Sequence, residues 1–374
     1  MKADMTLYPN LILDALRTVR YPGSGKNIVE LQMVEDDMRI DGMRVTFSLI
    51  FDKPTDPFIK SVVKAAEAAI RAYVSADVDI AGNIAVKTRH PAPQPGSVVQ
   101  VLPGVKNIIG VSSGKGGVGK STVAANLAVA LARDGYSVGL LDADIFGPSI
   151  PKMFGVEGEQ LYMRETDDGR NLLLPHERYG VKMLSIGFVV DAGSAVVWRG
   201  SMASNALRQL IEQADWGELD YFIIDMPPGT SDIHLTLVQT LGITGALVVT
   251  TPQQVALADA RKGIAMFREP KINVPVLGIV DNMASFTPER HPEEQYYIFG
   301  RDEDVDALAA DYDVPVLARI PIVAAIGEHS DAGHPIALDD SITAQAFVHL
   351  AHETIDALDR RNRQLPPTVK VNVK

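Results

Sequence analysis

The sequence of 374 residues contains no cysteine. Disulfide bonds, cysteine-based zinc sites, a thiol nucleophile and thiolate ligation of an iron–sulfur cluster by this chain alone are therefore excluded. Basic charge is also scarce, because 35 Lys and Arg residues face 47 Asp and Glu residues and leave a formal net charge of -12. Surfaces that coat nucleic acid or anionic membranes need positive charge, so we expect no nucleic-acid partner and no membrane partner.

Long apolar runs are missing as well. The longest uncharged stretch, Leu235–Ala258, is interrupted by Gly242, Gly245 and Pro252, and it is typical of a helix, a strand and a loop rather than a membrane span. The N-terminal residues lack the charged-then-apolar pattern of a signal peptide. We therefore expect a cytoplasmic protein.

The apolar pattern divides the chain into two folded parts. Residues 1–90 combine helix-spaced apolar residues with an alternating strand near residues 45–51, and they predict a small α+β domain. Residues 91–105 are rich in proline and predict a semi-rigid linker. Residues 106–360 predict the larger domain, and residues 361–374 predict a loosely attached basic tail.

In the larger domain, apolar runs alternate with amphipathic helices, which is typical of a doubly wound, mainly parallel α/β sheet covered by helices on both faces. The runs that predict strands are Asn107–Ser112, Ser137–Leu141, Tyr221–Ile224, Ala246–Thr250, Val276–Val280 and Val316–Ile320. The sequence therefore predicts an α/β fold preceded by a small α+β domain.

Residues 114–121 read GKGGVGKS and match the phosphate-loop pattern G-x-x-x-x-G-K-[ST] between a predicted strand and a predicted helix. Glycines let this backbone curl until its N–H groups point at phosphate oxygens at the positive end of the helix. Lys120 is expected to reach the β- and γ-phosphates of ATP, and Ser121 to hold Mg²⁺. The predicted nucleotide-binding residues of the loop are Gly114, Lys115, Gly116, Gly117, Val118, Gly119, Lys120, Ser121 and Thr122.

Carboxylates follow two of the predicted strands. Asp142 and Asp144 come directly after one run, and Asp225 ends another. Carboxyl ends of parallel strands face the crevice in which such folds bind ligands, so Asp225 is expected to bind Mg²⁺ through its water shell. The Pro-Pro-Gly turn that follows offers the Gly229 N–H as a donor to the γ-phosphate.

A lysine directly after the first glycine resembles the deviant-Walker group of ATPases, which includes the ParA, MinD and nitrogenase-iron-protein types. The resemblance implies that Lys115 crosses a dimer interface to the nucleotide of the other subunit. It also implies that Asp142 organises the Mg²⁺ shell and that Asp144 orients the attacking water, although the two roles could be exchanged. Asn282 would hydrogen-bond the adenine edge, with an Asx-turn as the alternative.

Further strings narrow the resemblance to the Mrp/ApbC/Nbp35 type of iron–sulfur cluster carrier, and Val29–Gly42 within residues 1–90 resembles the MIP18-like domain that often precedes it. These strings are DADIFGPSIP (142–151), VVWRGSM (196–202), DYFIIDMPPGTSD (220–232), TPQQVALAD (251–259) and YIFG (297–300). The resemblance implies a slow, Mg²⁺-dependent ATP hydrolase that acts as a homodimer. It would carry a bridging [4Fe–4S] cluster between iron–sulfur assembly proteins and apoprotein clients.

Members of this family commonly hold the cluster on a C-x-x-C pair between an Asn-Met dipeptide and YIFG. Here the two positions fall on or near Pro288 and His291. Proline cannot ligate iron and one imidazole is not a cluster site, so this chain lacks cluster ligands of its own. His291 with Glu293 and Glu294 is interpreted either as a metal site or as a solvated acidic loop.

Two other functions remain open on sequence grounds. One is a ParA/MinD-like partitioning or positioning ATPase, although Pro366-Pro367 interrupts the place where a membrane-seeking C-terminal helix would lie. The other is a regulatory scaffold ATPase that assembles protein partners through residues 1–90.

Overall fold

The computed structural model describes residues 7–22, 24–35, 37–51, 56–88, 101–145, 147–166, 169–188, 200–288, 291 and 294–368. The chain divides into two compact units at the boundary between residues 99 and 100. Residues 91–100 of the predicted linker and residues 369–374 of the predicted tail lie outside the described residues.

The first unit is a three-stranded sheet with two helices. Its elements are α1 (Pro9–Leu16), β1 (Arg39–Asp41), β2 (Arg44–Phe51), α2 (Ile59–Tyr73) and β3 (Ile84–Thr88). Strands β1 and β2 form an antiparallel hairpin, and β3 pairs with β2 in parallel. Along β2, Val45, Phe47 and Leu49 alternate into the core, which is the two-residue period that the sequence predicts.

The second unit contains the remaining elements. In chain order they are β4 (Val105–Ser113), α3 (Lys120–Arg133), β5 (Val138–Asp142), α4 (Ile150–Met153), β6 (Tyr162–Glu165), β7 (Asn171–Leu174), β8 (His176–Arg178), β9 (Val181–Ser185), a 3₁₀ turn (Ile186–Phe188), α5 (Gly200–Glu212), β10 (Leu219–Asp225), α6 (Asp232–Thr240), β11 (Gly245–Thr250), α7 (Gln254–Arg268), β12 (Val276–Phe286), α8 (Asp302–Asp311), β13 (Val316–Ile322), α9 (Ala324–Asp331), a second 3₁₀ turn (Ile336–Leu338) and α10 (Ile342–Gln364).

The central sheet has eight strands in the order β13-β12-β11-β4-β10-β5-β9-β8. Neighbouring strands are parallel except for the antiparallel edge pair β8 and β9. All six apolar runs that predict strands lie in this sheet, which confirms the predicted fold class. Strands β8 and β9 were not predicted, because they are short and adjoin a hairpin, β6–β7, that lies outside the sheet.

Both faces of the sheet are buried. One apolar cluster joins the sheet to α3 and α10, and a second joins it to α5, α6, α7 and α8. Strands buried on both faces need apolar residues at almost every position, which explains why the runs are continuous instead of alternating.

Helix α10 extends past the predicted start of the basic tail at residue 361. Arg361 is buried on this helix and donates a hydrogen bond from its guanidinium group to the carbonyl oxygen of Pro366, 2.8 Å away. The helix ends at Gln364, shortly before Pro366-Pro367, where proline cannot continue it. Among the described helices, none is both long enough and apolar enough to cross a membrane.

Candidate active site

The phosphate loop connects β4, in the middle of the sheet, to the N-terminus of α3. Gly117 and Gly119 have φ angles of 83° and 81°, in the left-handed region that favours glycine. This backbone shape turns the loop around the start of a helix, where the unpaired N–H groups and the helix dipole attract anions. The structure therefore places residues 114–121 around the N-terminus of α3 at the carboxyl edge of the sheet.

Lys120 is the centre of a buried charge cluster. Its ammonium group hydrogen-bonds Oδ1 of Asp225, and it lies 3.5 Å from Oδ2 of Asp144 and 3.3 Å from the Ser121 hydroxyl. Lys120 is 5% exposed and Asp225 is fully buried. Burial raises the pKa of Asp225, while the charge of Lys120 opposes that shift. Lys120 therefore contacts two of the predicted site carboxylates, those of Asp144 and Asp225.

Asp225 retains an oxygen that could face a metal ion. Its Oδ2 atom is buried and accepts no hydrogen bond from the residues that the structure describes. A carboxylate oxygen and a nearby Ser121 hydroxyl are ligands that Mg²⁺ prefers, directly or through water. The residues present therefore fit a magnesium ion beside the phosphate loop.

Asp142 uses its carboxylate inside the protein. It accepts hydrogen bonds from the backbone N–H groups of Asp144 (3.1 Å) and Ile150 (3.2 Å) and from the Ser185 hydroxyl (2.9 Å). Burial and, after it, the nearby Asp225 raise the pKa of Asp142 to about 7. These contacts fix the loop that carries Asp144, so they favour a positioning role for Asp142 over direct contact with Mg²⁺.

Gly114 has a packing role that the motif alone does not reveal. A Cβ atom at this position would lie 2.1 Å from the backbone carbon of Asp259 in α7. The phosphate loop therefore packs directly on the backbone of α7. Gly116, in contrast, has no atom closer than 4.0 Å to such a Cβ, so its side of the loop is open.

Asn282 and Gly229 each donate a hydrogen bond within the protein. The Asn282 amide donates to the carbonyl of Val118 at 2.8 Å, and the Gly229 N–H donates to the carbonyl of Ser113 at 2.8 Å. Both contacts hold backbone of the strand–loop region in place. Asn282 has a second amide N–H and a carbonyl oxygen, so contact with adenine leaves its bond to Val118 intact. Contact of Gly229 with the γ-phosphate requires its single N–H to exchange the Ser113 carbonyl for the phosphate.

Lys115 lies on the exposed surface of the loop. Its carbonyl accepts a hydrogen bond from the Ser113 hydroxyl, and its ammonium group has no ion-pair partner among the described residues. The side chain is therefore available to a second molecule.

Sequence reasoning missed His234, which lies in the first turn of α6. The residue is buried, and its Nδ1 atom accepts a hydrogen bond from the Ser231 N–H at 3.2 Å. Burial lowers the pKa of His234 to about 4, so the ring is neutral at physiological pH. The spacing Ser-x-x-His at a helix start resembles a capping box, and it is the signal that could have found this residue.

The described residues that follow β12 are mostly exposed to solvent. The His291 N–H donates to the Pro288 carbonyl at 3.1 Å, so these two residues close one turn. Beyond the turn, Tyr296, Tyr297 and Ile298 are exposed. Glu293, from the predicted acidic cluster with His291 and Glu294, lies outside the described residues.

Comparison with known proteins connects this geometry to a family. Residues 104–355 match the model of the NUBPL iron-transfer P-loop NTPases, and residues 10–81 match that of an iron–sulfur cluster assembly protein domain. The chain belongs to the NUBPL/Mrp family of iron–sulfur carrier P-loop NTPases. This result confirms the resemblance and supports the carrier interpretation over a ParA/MinD-like partitioning ATPase.

Individual relatives agree with the family models. The iron–sulfur cluster carrier protein of Synechocystis is 42% identical over 351 residues, which cover 93% of this chain and 97% of the relative. The mouse iron–sulfur cluster transfer protein NUBPL is 45% identical over 261 residues, which cover 69% of this chain and 79% of the relative. A solved nucleotide-binding protein in complex with ADP from Archaeoglobus fulgidus has a TM-score of 0.55 and 38% identity, and the match covers 64% of this chain and 91% of that one.

Proposed function

We propose that this protein is a slow, Mg²⁺-dependent ATPase that acts as a cytoplasmic homodimer and delivers iron–sulfur clusters to apoproteins together with a partner that supplies the thiolate ligands. The observation that carries the ATPase part is the buried meeting of Lys120, Asp144 and Asp225 beside the phosphate loop. The family supports the carrier part. The absence of cysteine from the sequence requires the thiolates to come from elsewhere.

Hydrolysis in this proposal depends on electrostatic positioning. The loop N–H groups and Lys120 stabilise negative charge on the transferred phosphoryl group, and Ser121 and Asp225 hold Mg²⁺. Bound Mg²⁺ neutralises charge on the β- and γ-phosphates. When nucleotide binds, Lys120 exchanges its contact with Asp225 for the phosphates. Asp144 then orients the attacking water, and Asp142 holds the loop that carries Asp144.

The ATPase experiment compares four variants by calorimetric ATP binding and by phosphate release. Lys120→Ala should lose tight binding, and Asp144→Ala should keep binding and lose turnover. Lys271→Ala is the matched control, because this exposed lysine precedes β12 at the opposite edge of the sheet. Turnover that persists in Asp144→Ala would show that another group orients the water.

Lys115→Ala, the fourth variant, tests the homodimer by mixing. Each site of a dimer would use its own Asp144 and the partner's Lys115. A heterodimer of Lys115→Ala and Asp144→Ala then has one intact site, so random mixing of two inactive variants should restore about a quarter of wild-type turnover. If Lys115 acts within its own subunit, mixing restores nothing.

Cluster transfer needs a separate measurement. The protein is incubated anaerobically with iron and sulfide, with and without a cysteine-bearing scaffold that holds a [4Fe–4S] cluster. We expect no stable cluster on this protein alone and faster transfer to an apoprotein when ATP and the scaffold are present. A stable, stoichiometric cluster on the isolated protein would contradict the proposed need for outside thiolates.

A further inference from the structure

Two histidines and an aspartate converge in the second unit, away from the phosphate loop. His329 lies in the last turn of α9, His334 follows that helix, and Asp339 follows the 3₁₀ turn Ile336–Leu338. Nε2 of His329 lies 3.6 Å from Oδ2 of Asp339, and Nε2 of His334 lies 3.4 Å from its Oδ1. One possible ligand atom from each residue lies within 4.8 Å of the others. We propose that these three residues bind a divalent transition-metal ion.

The backbone that carries Asp339 is fixed before any ion arrives. Arg133 donates hydrogen bonds to the carbonyls of Ala337 (2.5 Å) and Asp339 (2.7 Å). The buried side chain of Asn126 accepts a hydrogen bond from the Ala337 N–H at 2.9 Å. Both Arg133 and Asn126 belong to α3, so hydrogen bonds from this helix hold the backbone next to the Asp339 carboxylate in place.

The turn between the two histidines is equally constrained. The His334 N–H donates to the His329 carbonyl at 3.0 Å, and the Tyr179 hydroxyl donates to the Gly333 carbonyl at 2.9 Å. Gly333 has a φ angle of +70°, and a Cβ atom there would lie 2.5 Å from Cα of Gly155. Only glycine fits this turn. The constraint sets the spacing of the two imidazoles and reduces the entropy lost when they bind an ion.

The ligand chemistry identifies the class of ion. Two imidazole nitrogens and one carboxylate oxygen suit Zn²⁺, Co²⁺, Ni²⁺ or Fe²⁺, and they leave coordination positions open for water. Mg²⁺ and Ca²⁺ prefer oxygen ligands alone, so they fit less well. Nδ1 of His329 is buried and makes no hydrogen bond to the described part of the chain, so no described group competes for that nitrogen.

This site is separate from the nucleotide site. Arg133 is the last residue of α3, and Lys120 is the first. A helix of 14 residues spans roughly 20 Å, so the two sites lie at opposite ends of the same helix. Changes at the histidines should therefore leave ATP binding intact. The inference does not depend on the proposed ATPase or carrier function.

The test uses the full-length, tag-free protein after treatment with a chelator. Co²⁺ is titrated and followed by its visible absorption bands and by calorimetry. We expect one Co²⁺ per chain and displacement of the bands by Zn²⁺. The bands should disappear in His329→Ala/His334→Ala and should weaken in Asp339→Asn, because each change removes ligand atoms.

His352→Ala is the matched control. His352 pairs with Asp134 at 2.9 Å, and no described residue offers this pair a third ligand, so the loss of His352 should leave Co²⁺ binding unchanged. Unchanged ATP binding and urea midpoints show that the variants are folded, and Asp339→Asn keeps the proposal testable if the double variant unfolds. Absent Co²⁺ binding in the wild-type protein, or equal binding in His329→Ala/His334→Ala, would overturn the proposal.

Discussion

The residues around the end of β12 and the residues that follow it differ in how far they are buried and in what stabilises them. Before β12 ends, Asn282 is buried and bonds the phosphate loop, and nearby Lys120 and Asp225 form a buried ion pair. After β12, residues 294–300 are half-buried or exposed. The first region depends on buried charges of opposite sign that stabilise each other where water does not solvate them. The second region contributes little to folding, because its described residues are largely exposed to solvent.

This contrast explains how the family fold persists without a thiol. An unpaired buried charge destabilises a protein by several kcal/mol, whereas most surface substitutions change stability by less than about 0.5 kcal/mol.

Lys120→Ala should lower the free energy of unfolding by about 3–5 kcal/mol, because it leaves the fully buried Asp225 without its partner. Urea denaturation without nucleotide measures the change. Lys120→Ala/Asp225→Ala should recover part of the loss, since the second substitution removes the stranded charge. Stability within 0.5 kcal/mol of wild type, as a rough threshold, would mean that the ion pair does not hold the site together.

Asp281 precedes Asn282 and illustrates the same dependence on burial. Both carboxylate oxygens are buried and accept no hydrogen bond from described residues, and Nε of Arg319 lies 3.7 Å from Oδ2. Burial and, after it, the charge of Asp302 raise the pKa of Asp281 to about 7.

Folding therefore becomes less favourable as pH rises from the unfolded-state pKa of about 3.9 to 7, because the folded protein binds the proton more tightly than the unfolded chain. Asp281→Asn removes this penalty. It should stabilise the protein by about 4 kcal/mol at pH 8 and have little effect at pH 4. Urea midpoints at both pH values measure the difference. A stabilisation that does not change with pH would point to packing rather than to ionisation.

Much of the fold and part of the site follow from local sequence. Continuous apolar runs predict the central strands, and an acid directly after such a run predicts where Asp144 and Asp225 meet Lys120. The contact of Gly114 with α7 and the buried carboxyl of Asp281 were not predictable. Each depends on segments that are far apart in the chain and that tertiary packing brings together. A local sequence pattern does not indicate which distant segments will pack against each other.

Gly114→Ala should destabilise the protein by about 1–3 kcal/mol, because its Cβ would overlap the backbone of Asp259, which cannot rotate away as a side chain can. Gly116→Ala is the matched change in the same loop, and its Cβ meets only Pro228 at 4.0 Å. Thermal unfolding of both variants measures the difference. Equal losses would show that the loop as a whole, rather than its contact with α7, resists substitution.

Pro288→Cys/His291→Cys should change the stability of the protein least and should allow it to bind an iron–sulfur cluster. Pro288 is half-buried and His291 is exposed, and the two positions close one turn, so stability should stay within about 0.5 kcal/mol of wild type. Two such pairs in a homodimer supply the four thiolates that a [4Fe–4S] cluster needs. Anaerobic reconstitution should then give one cluster per dimer, measured by iron and sulfide content and by visible absorption. Pro288→Ser/His291→Ser, which has similar shape but no thiolate, should stay free of iron.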